Sequence, residues 1–226
     1  GALALSATFA VPAAASSVQL EDITFGQSFG SPDWSRPVDV TFDATQTSPQ
    51  VTGSVPAGPF RLTDGVSNIL AWCIELTEFF ASGADYHTNA GLLDGERIDL
   101  LDRLFTQNFS TLGTGTTAGN RDLGAAMQVA IWEITNETAT DSGGALDLDL
   151  STGAAQFAAG NANAISIAGD WLGALDDGPT GGFSFTLYES ADSQNLVSAT
   201  PVPLPAAGWM LVAGLGGLIA MRRRAA

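Results

Sequence analysis

The chain has 226 residues, with 8 basic and 24 acidic side chains and a formal charge of −16. A sequence pI near 4.1 argues against nucleic acid or an anionic membrane surface as partner, because both need a basic footprint. At 45% hydrophobic and 14% charged it is no acidic disordered tail, and one cysteine and one histidine leave no internal disulfide and no multi-cysteine or histidine-based metal site.

Residues 1–15, GALALSATFAVPAAA, are small and apolar, and Ala13-Ala14-Ala15 fits an A-x-A cleavage pattern. They read as the remnant of a secretory signal; a buried alanine-rich element is the other reading. Residues 17–200 then form the exported domain. Ser17–Phe25, Val38–Phe42, Gly58–Leu62 and Asn68–Leu76 read as strands separated by Gly, Ser, Pro, Thr and Asp. On the last of these, Leu70, Trp72, Ile74 and Leu76 share one face, and Ile69, Ala71, Cys73 and Glu75 the other. A lone cysteine in an exported chain risks oxidation, so Cys73 is either deeply buried or used.

The next stretch changes period. Leu92–Phe105 places apolar residues on one helical face, and Asp122–Asn136 is a second helix. From Leu123 to Trp132, Gln128 is the one polar side chain apart from the Trp132 indole, so the helix is buried. A buried primary amide left unpartnered costs about 1–3 kcal/mol, so something satisfies Gln128 or consumes it. Ala154–Leu175 is expected as a third helix, weakened by Gly160 and Gly169. FSFTLY at 183–188 and Asn195–Ala199 read as a terminal hairpin. Strands, then helices, then strands predict an α+β fold: an antiparallel β-sandwich or barrel with an inserted helical layer.

Residues 201–226 carry Pro201, Pro203 and Pro205, an uncharged run Ala206–Met221, and then Arg222, Arg223 and Arg224. This reads as a C-terminal transmembrane helix with an arginine stop on its cytoplasmic side. Val202-Pro203-Leu204-Pro205-Ala206, the hydrophobic span and the arginines resemble the VPLPA variant of the PEP-CTERM sorting signal. The resemblance implies a Gram-negative bacterium and an exosortase-type membrane protease as partner. It also implies passage through the inner membrane as a precursor, and a mature form at the cell surface or in extracellular matrix.

Cys73 and Gln128 suggest one chemistry between them. A thiol can attack a carboxamide, expel ammonia and leave an internal thioester, provided proximity and orientation drive the step. Trp72-Cys73-Ile74-Glu75-Leu76 and Met127-Gln128-Val129-Ala130-Ile131-Trp132 are similar to segments of the Cys–Gln thioester domains of bacterial surface adhesins. That resemblance implies a Cys73–Gln128 bond, shielded by Trp72, Trp132 and Glu75, that amines on a surface or matrix target attack. It implies a covalent adhesin, not an enzyme, and requires no cofactor and no metal. The interval of 55 residues is short for that family and implies a trimmed helical insertion. The chain has no lysine, which suits a stored thioester and equally suits salt adaptation or genomic bias.

Other readings stay open. The chain also reads as a passive surface or matrix protein, with Cys73 a buried thiol and Gln128 bonding backbone groups. His87, in DYHTN, could form a dyad with Cys73, although an exposed loop histidine is the plainer reading. Asp147 and Asp149, near Asp141, could bind calcium, but the EF-hand spacing is absent and a solvated acidic loop is the default. Leu112–Gly119 lacks the Lys-Ser/Thr of a phosphate loop and reads as a flexible linker.

Overall fold

Short runs of branched and aromatic residues bounded by Gly, Ser and Asp become strands, and the two periodic segments become helices. The computed structural model describes residues 18–25, 34–42, 52–175 and 178–203. The expected signal at 1–15 and the sorting tail from Leu204 onward lie outside them. The described elements run β1 (Val18–Phe25), β2 (Arg36–Phe42), β3 (Thr52–Ala57), β4 (Phe60–Thr63), β5 (Asn68–Cys73), β6 (Ala84–Thr88), α1 (Gly95–Asn108), α2 (Thr117–Asn136), β7 (Ala155–Ala159), α3 (Ala162–Leu172), β8 (Phe183–Glu189) and β9 (Leu196–Pro201). No helix among the described residues is long and apolar enough to cross a membrane.

The fold is α+β. Six strands close an antiparallel barrel in the order β1-β4-β5-β9-β8-β6, and β1 returns to β6 to complete it. Closure leaves these strands no free edge. β3, β2 and β7 form a second, antiparallel sheet in that order. The helix α2 packs against both β5 of the barrel and the strands of the second sheet, with α1 and α3 beside it. That explains its all-round burial from Gly124 to Ile134. Trp72, Phe105, Phe109 and Phe183 make a continuous aromatic cluster between the barrel and α1, with Trp72 edge-on to Phe105 at 5.0 Å between ring centres.

The expected elements appear with four differences. β3 is not among the expected strands, and it forms against β2, from Arg36 opposite Ala57 to Thr41 opposite Thr52. β5 ends at Cys73 instead of running to Leu76. DYHTN is not a loop: Ala84–Thr88 is a barrel strand that closes against β1 and β8. The segment expected as one helix from Ala154 divides into β7 and α3. Its first part is captured by β2, with Phe42 opposite Ala155 and Asp39 opposite Ala159, and pairing across a sheet overrides local propensity. Gly160 makes the break. Its φ is 98°, and a Cβ there would stand 2.8 Å from the Asp39 nitrogen. Asn161 then caps α3 by accepting from the Ala164 N–H at 3.2 Å.

Two features of α2 make measurable demands. At Gly124 a Cβ would lie 2.3 Å from the Trp34 carbonyl oxygen just before β2. Gly124→Ala is therefore expected to lower unfolding free energy by about 1–3 kcal/mol, as overpacking does, read by urea denaturation. Glu133 is fully buried, and neither of its carboxyl oxygens has a hydrogen-bond partner among the described residues. Burial, then the charges of Glu137, Asp149 and Asp147, push its carboxyl up to about 9. The native state thus holds a proton that the unfolded chain releases near 4.5. Its contribution is favourable below that value and is lost as pH rises towards 9. Glu133→Gln should flatten this slope and exceed the parent in stability at pH 7 by up to about 3 kcal/mol. Denaturation series at several pH values check it.

Candidate functional site

Cys73 is the last residue of β5, and its position there creates a problem that α2 solves. In an antiparallel sheet, successive residues turn their peptide groups to opposite neighbours. The Ile74 N–H turns to the β9 side and donates to the Asn195 carbonyl at 3.0 Å. The N–H and C=O of Cys73 face the other side, where pairing with β4 ends at Phe60 opposite Ala71. Gln128 closes both groups. Its Oε1 accepts from the Cys73 N–H at 3.1 Å and its Nε2 donates to the Cys73 carbonyl at 2.8 Å. A side-chain amide thus serves as the missing strand. Thr135 and Asn136 repeat the device one step along, both donating to the Ile74 carbonyl, at 2.9 and 3.1 Å.

The Cys73 thiol has a different partner. Its Sγ donates to Oε1 of Gln194 at 2.6 Å. Sequence reasoning brings Gln128 to Cys73, and the structure does so too, but to the peptide and not to the sulfur. Gln194 was missed because Ser193-Gln194 reads as polar turn residues before the strand expected from Asn195. The signal that could reveal it is topological. A terminal strand in a closed barrel needs a second neighbour, and β9 finds it in β5, with Cys73 opposite Leu196.

The segment around Gln194 is held on every side. The Gln194 Nε2 donates to the Glu75 carbonyl at 2.5 Å, and its N–H donates to the Phe79 carbonyl at 3.3 Å. Tyr86 donates its hydroxyl hydrogen to the Gln194 carbonyl at 2.9 Å, and its oxygen lies 2.7 Å from Ser193 Oγ. The Glu75 carboxylate accepts from the Asn195 N–H and Nδ2 at 3.0 and 2.8 Å. Glu75, expected as a shield, is thus a clamp on the residue after Gln194. Burial raises its carboxyl, and the Asn195 bonds oppose that. Burial likewise pushes the Tyr86 hydroxyl up to about 12, so it stays a donor. Burial, and then the Glu75 charge, hold the Cys73 thiol well above its ordinary range. Cys73 is a neutral thiol here, not a standing thiolate.

Cys73 and Gln194 both line a cavity of about 260 Å³ whose other walls are Val55, Pro56, Phe60, Leu76, Glu78, Phe79, Phe80 and Trp132. Trp132 stacks on Phe157 at 6.3 Å, within 5° of parallel. It lines the cavity together with Cys73. Trp72 does not line the cavity; successive strand residues point to opposite faces, and its ring goes to Phe105 and Phe109. Phe60 and Phe80, 4.9 Å apart, form the aromatic wall in its place.

The remaining candidates lie apart. His87 is exposed on β6 and pairs with Glu189 at 3.0 Å, not with Cys73. Asp141 accepts from the Gly143 and Ala145 N–H groups, and Asp149 from Ser151, so these carboxylates close turns. No group of three or more metal-ligating side chains assembles among the described residues. The expected linker ends early: Thr116 caps α2 by accepting from the Gly119 N–H at 3.2 Å.

No family model matches this chain, and no curated protein does. Among solved structures it is similar to the N-terminal thioester domain of a surface protein from Clostridium perfringens. That match has 15% identity, covers 64% of this chain and 89% of that one, and has a TM-score of 0.41. It is also similar to the N-terminal domain of the Streptococcus pyogenes pilus tip adhesin Cpa, at 20% identity over 85% of this chain and 100% of that one, with a TM-score of 0.42.

The roles of the two glutamines separate by stability. Gln128→Ala strands a buried N–H and C=O of Cys73 and should cost about 2–4 kcal/mol. Gln128→Glu should be no better, since its carboxylate meets the Cys73 carbonyl without a donor. Urea titration of both variants checks this.

Proposed function

We propose that this chain is an exported surface module that stores a reactive acyl group as an internal thioester between Cys73 and Gln194. The observation that carries the reading is the 2.6 Å approach of the Cys73 Sγ to the Gln194 carboxamide oxygen, inside a cavity walled by apolar side chains. In the forming step, Sγ bonds to the Gln194 carboxamide carbon and the C–Nε2 bond breaks. The thiol proton leaves on the departing ammonia. Because the thiol is neutral and the amide unreactive, the step depends on alignment. The bonds from Gln194 to Glu75, Phe79 and Tyr86 supply that alignment.

A target amine then attacks the same carbon. Its nitrogen forms an amide, the C–S bond breaks, and Cys73 regains a proton. Each chain reacts once, so the protein is a covalent adhesin or binding module and not a turnover enzyme. Neither step calls for a metal or cofactor. The absence of lysine leaves no ε-amine on sister copies to consume the bond. Sorting by an exosortase-type protease from an inner-membrane precursor to the cell surface or matrix of a Gram-negative bacterium belongs to the same proposal. It rests on the Val202–Ala206 motif and the arginine stop.

Intact mass of the purified chain tests the bond. The expected product is lighter by one ammonia, and methylamine converts it to an adduct with a free thiol. Cys73→Ala and Gln194→Ala should each lack the deficit. Folded Gln128→Ala should retain it. A full-mass parent whose thiol titrates on unfolding overturns the proposal and leaves a passive surface protein.

A further inference from the structure

The Leu76–Ala81 segment between β5 and β6 gives Leu76, Glu78, Phe79 and Phe80 to the cavity wall beside Cys73 and Gln194, and it is tied to the Gln194 segment at two points. The Phe79 carbonyl accepts from the Gln194 N–H at 3.3 Å, and the Ala81 N–H donates to Ser193 Oγ at 2.8 Å. Its side chains are unusual in two ways. Phe79 is 80% exposed although it lines the cavity. Glu78 is the one charged side chain among the described lining residues.

We propose that this segment determines which amine reacts: Phe79 and Leu76 hold an aliphatic stem, and Glu78 draws the incoming ammonium to the cavity. The inference rests on the thioester reading and deepens it from amines in general to amines on an unbranched alkyl chain. The volume of about 260 Å³ has room for such a stem. Apolar walls favour each buried methylene, and they disfavour small, strongly hydrated nucleophiles such as water. A single carboxylate at the wall of an otherwise apolar cavity complements one positive charge, and the net charge of −16 adds long-range attraction of the same sign. In the reaction the ammonium first gives one proton to solvent; the neutral nitrogen then bonds to the side-chain carbonyl carbon of Gln194, the C–S bond breaks, and a second nitrogen proton ends on the Cys73 sulfur.

Adduct formation on the full chain, followed by intact mass, tests this with methylamine, n-butylamine and hydroxylamine. The ammonia deficit is read first; its absence removes the thioester reading and this inference with it. With the deficit present, n-butylamine should react about tenfold faster than methylamine, since its three extra methylenes gain up to about fourfold each when fully buried. Phe79→Ala should bring that ratio towards one; Phe79 is exposed, so folding is not at stake. Glu78→Gln should lower the rate of methylamine relative to hydroxylamine, which is neutral at pH 7, by about two- to fivefold. It should also weaken the salt dependence of the methylamine rate. A normal deficit with equal rates for the two alkylamines, or with ratios unmoved by both substitutions, overturns the inference and leaves the thioester standing.

Discussion

The amide of Gln128, bonded to both peptide groups of Cys73, is the contact on which the site depends. β4 runs out before Cys73, and a strand residue at the end of its ladder has a buried N–H and C=O with nothing to pair. By pairing them, α2 fixes the height of the helix against the barrel and the place where β5 stops. It also leaves the cysteine side chain aimed at Gln194, the residue just ahead of β9. The hydrogen bonds from Thr135 and Asn136 to Ile74 extend the same seam. Helix and barrel are therefore joined by polar side chains where the barrel ladder ends, and by apolar packing elsewhere.

The second determinant is register. β9 meets β5 with Cys73 opposite Leu196, which sets Gln194 just beyond the pairing, beside the sulfur. A slip of one residue would turn every side chain of β9 to the other face. The clamps at Glu75, Tyr86 and Phe79 hold the segment in that position, so the carboxamide arrives with its oxygen on Sγ and its nitrogen on a carbonyl. That is the pre-alignment an unreactive amide needs before a neutral thiol.

Much of the architecture was legible in the residues. The strands β1, β2 and β8 and the buried helix around Gln128 follow from period two, period 3.6 and turn chemistry. The strands β3, β6 and β7 were not legible. DYHTN carries the composition of a loop, and AQFAA continues into a helical pattern; both become strands because a neighbour offers a ladder. The site divides in the same way. Cys73 and the buried amide stand out as residues that cannot be idle, and Trp132 lines the cavity beside the sulfur. The shield role for Trp72 came from the resemblance alone: strand alternation already sets it opposite the cysteine, and its ring joins the aromatic cluster.

The sequence by itself determined that the chain is acidic, lysine-free, α+β, and built around one cysteine and one glutamine in an otherwise apolar helix. Those are properties of composition and local period, and no partner is needed to read them. The tertiary structure decided which glutamine meets the sulfur. That choice turns on barrel closure and on the β5–β9 register, which join residues 121 positions apart. Nothing in the local pattern of either segment records that distance, because pairing free energy is shared across the whole ladder and appears only once the barrel has closed.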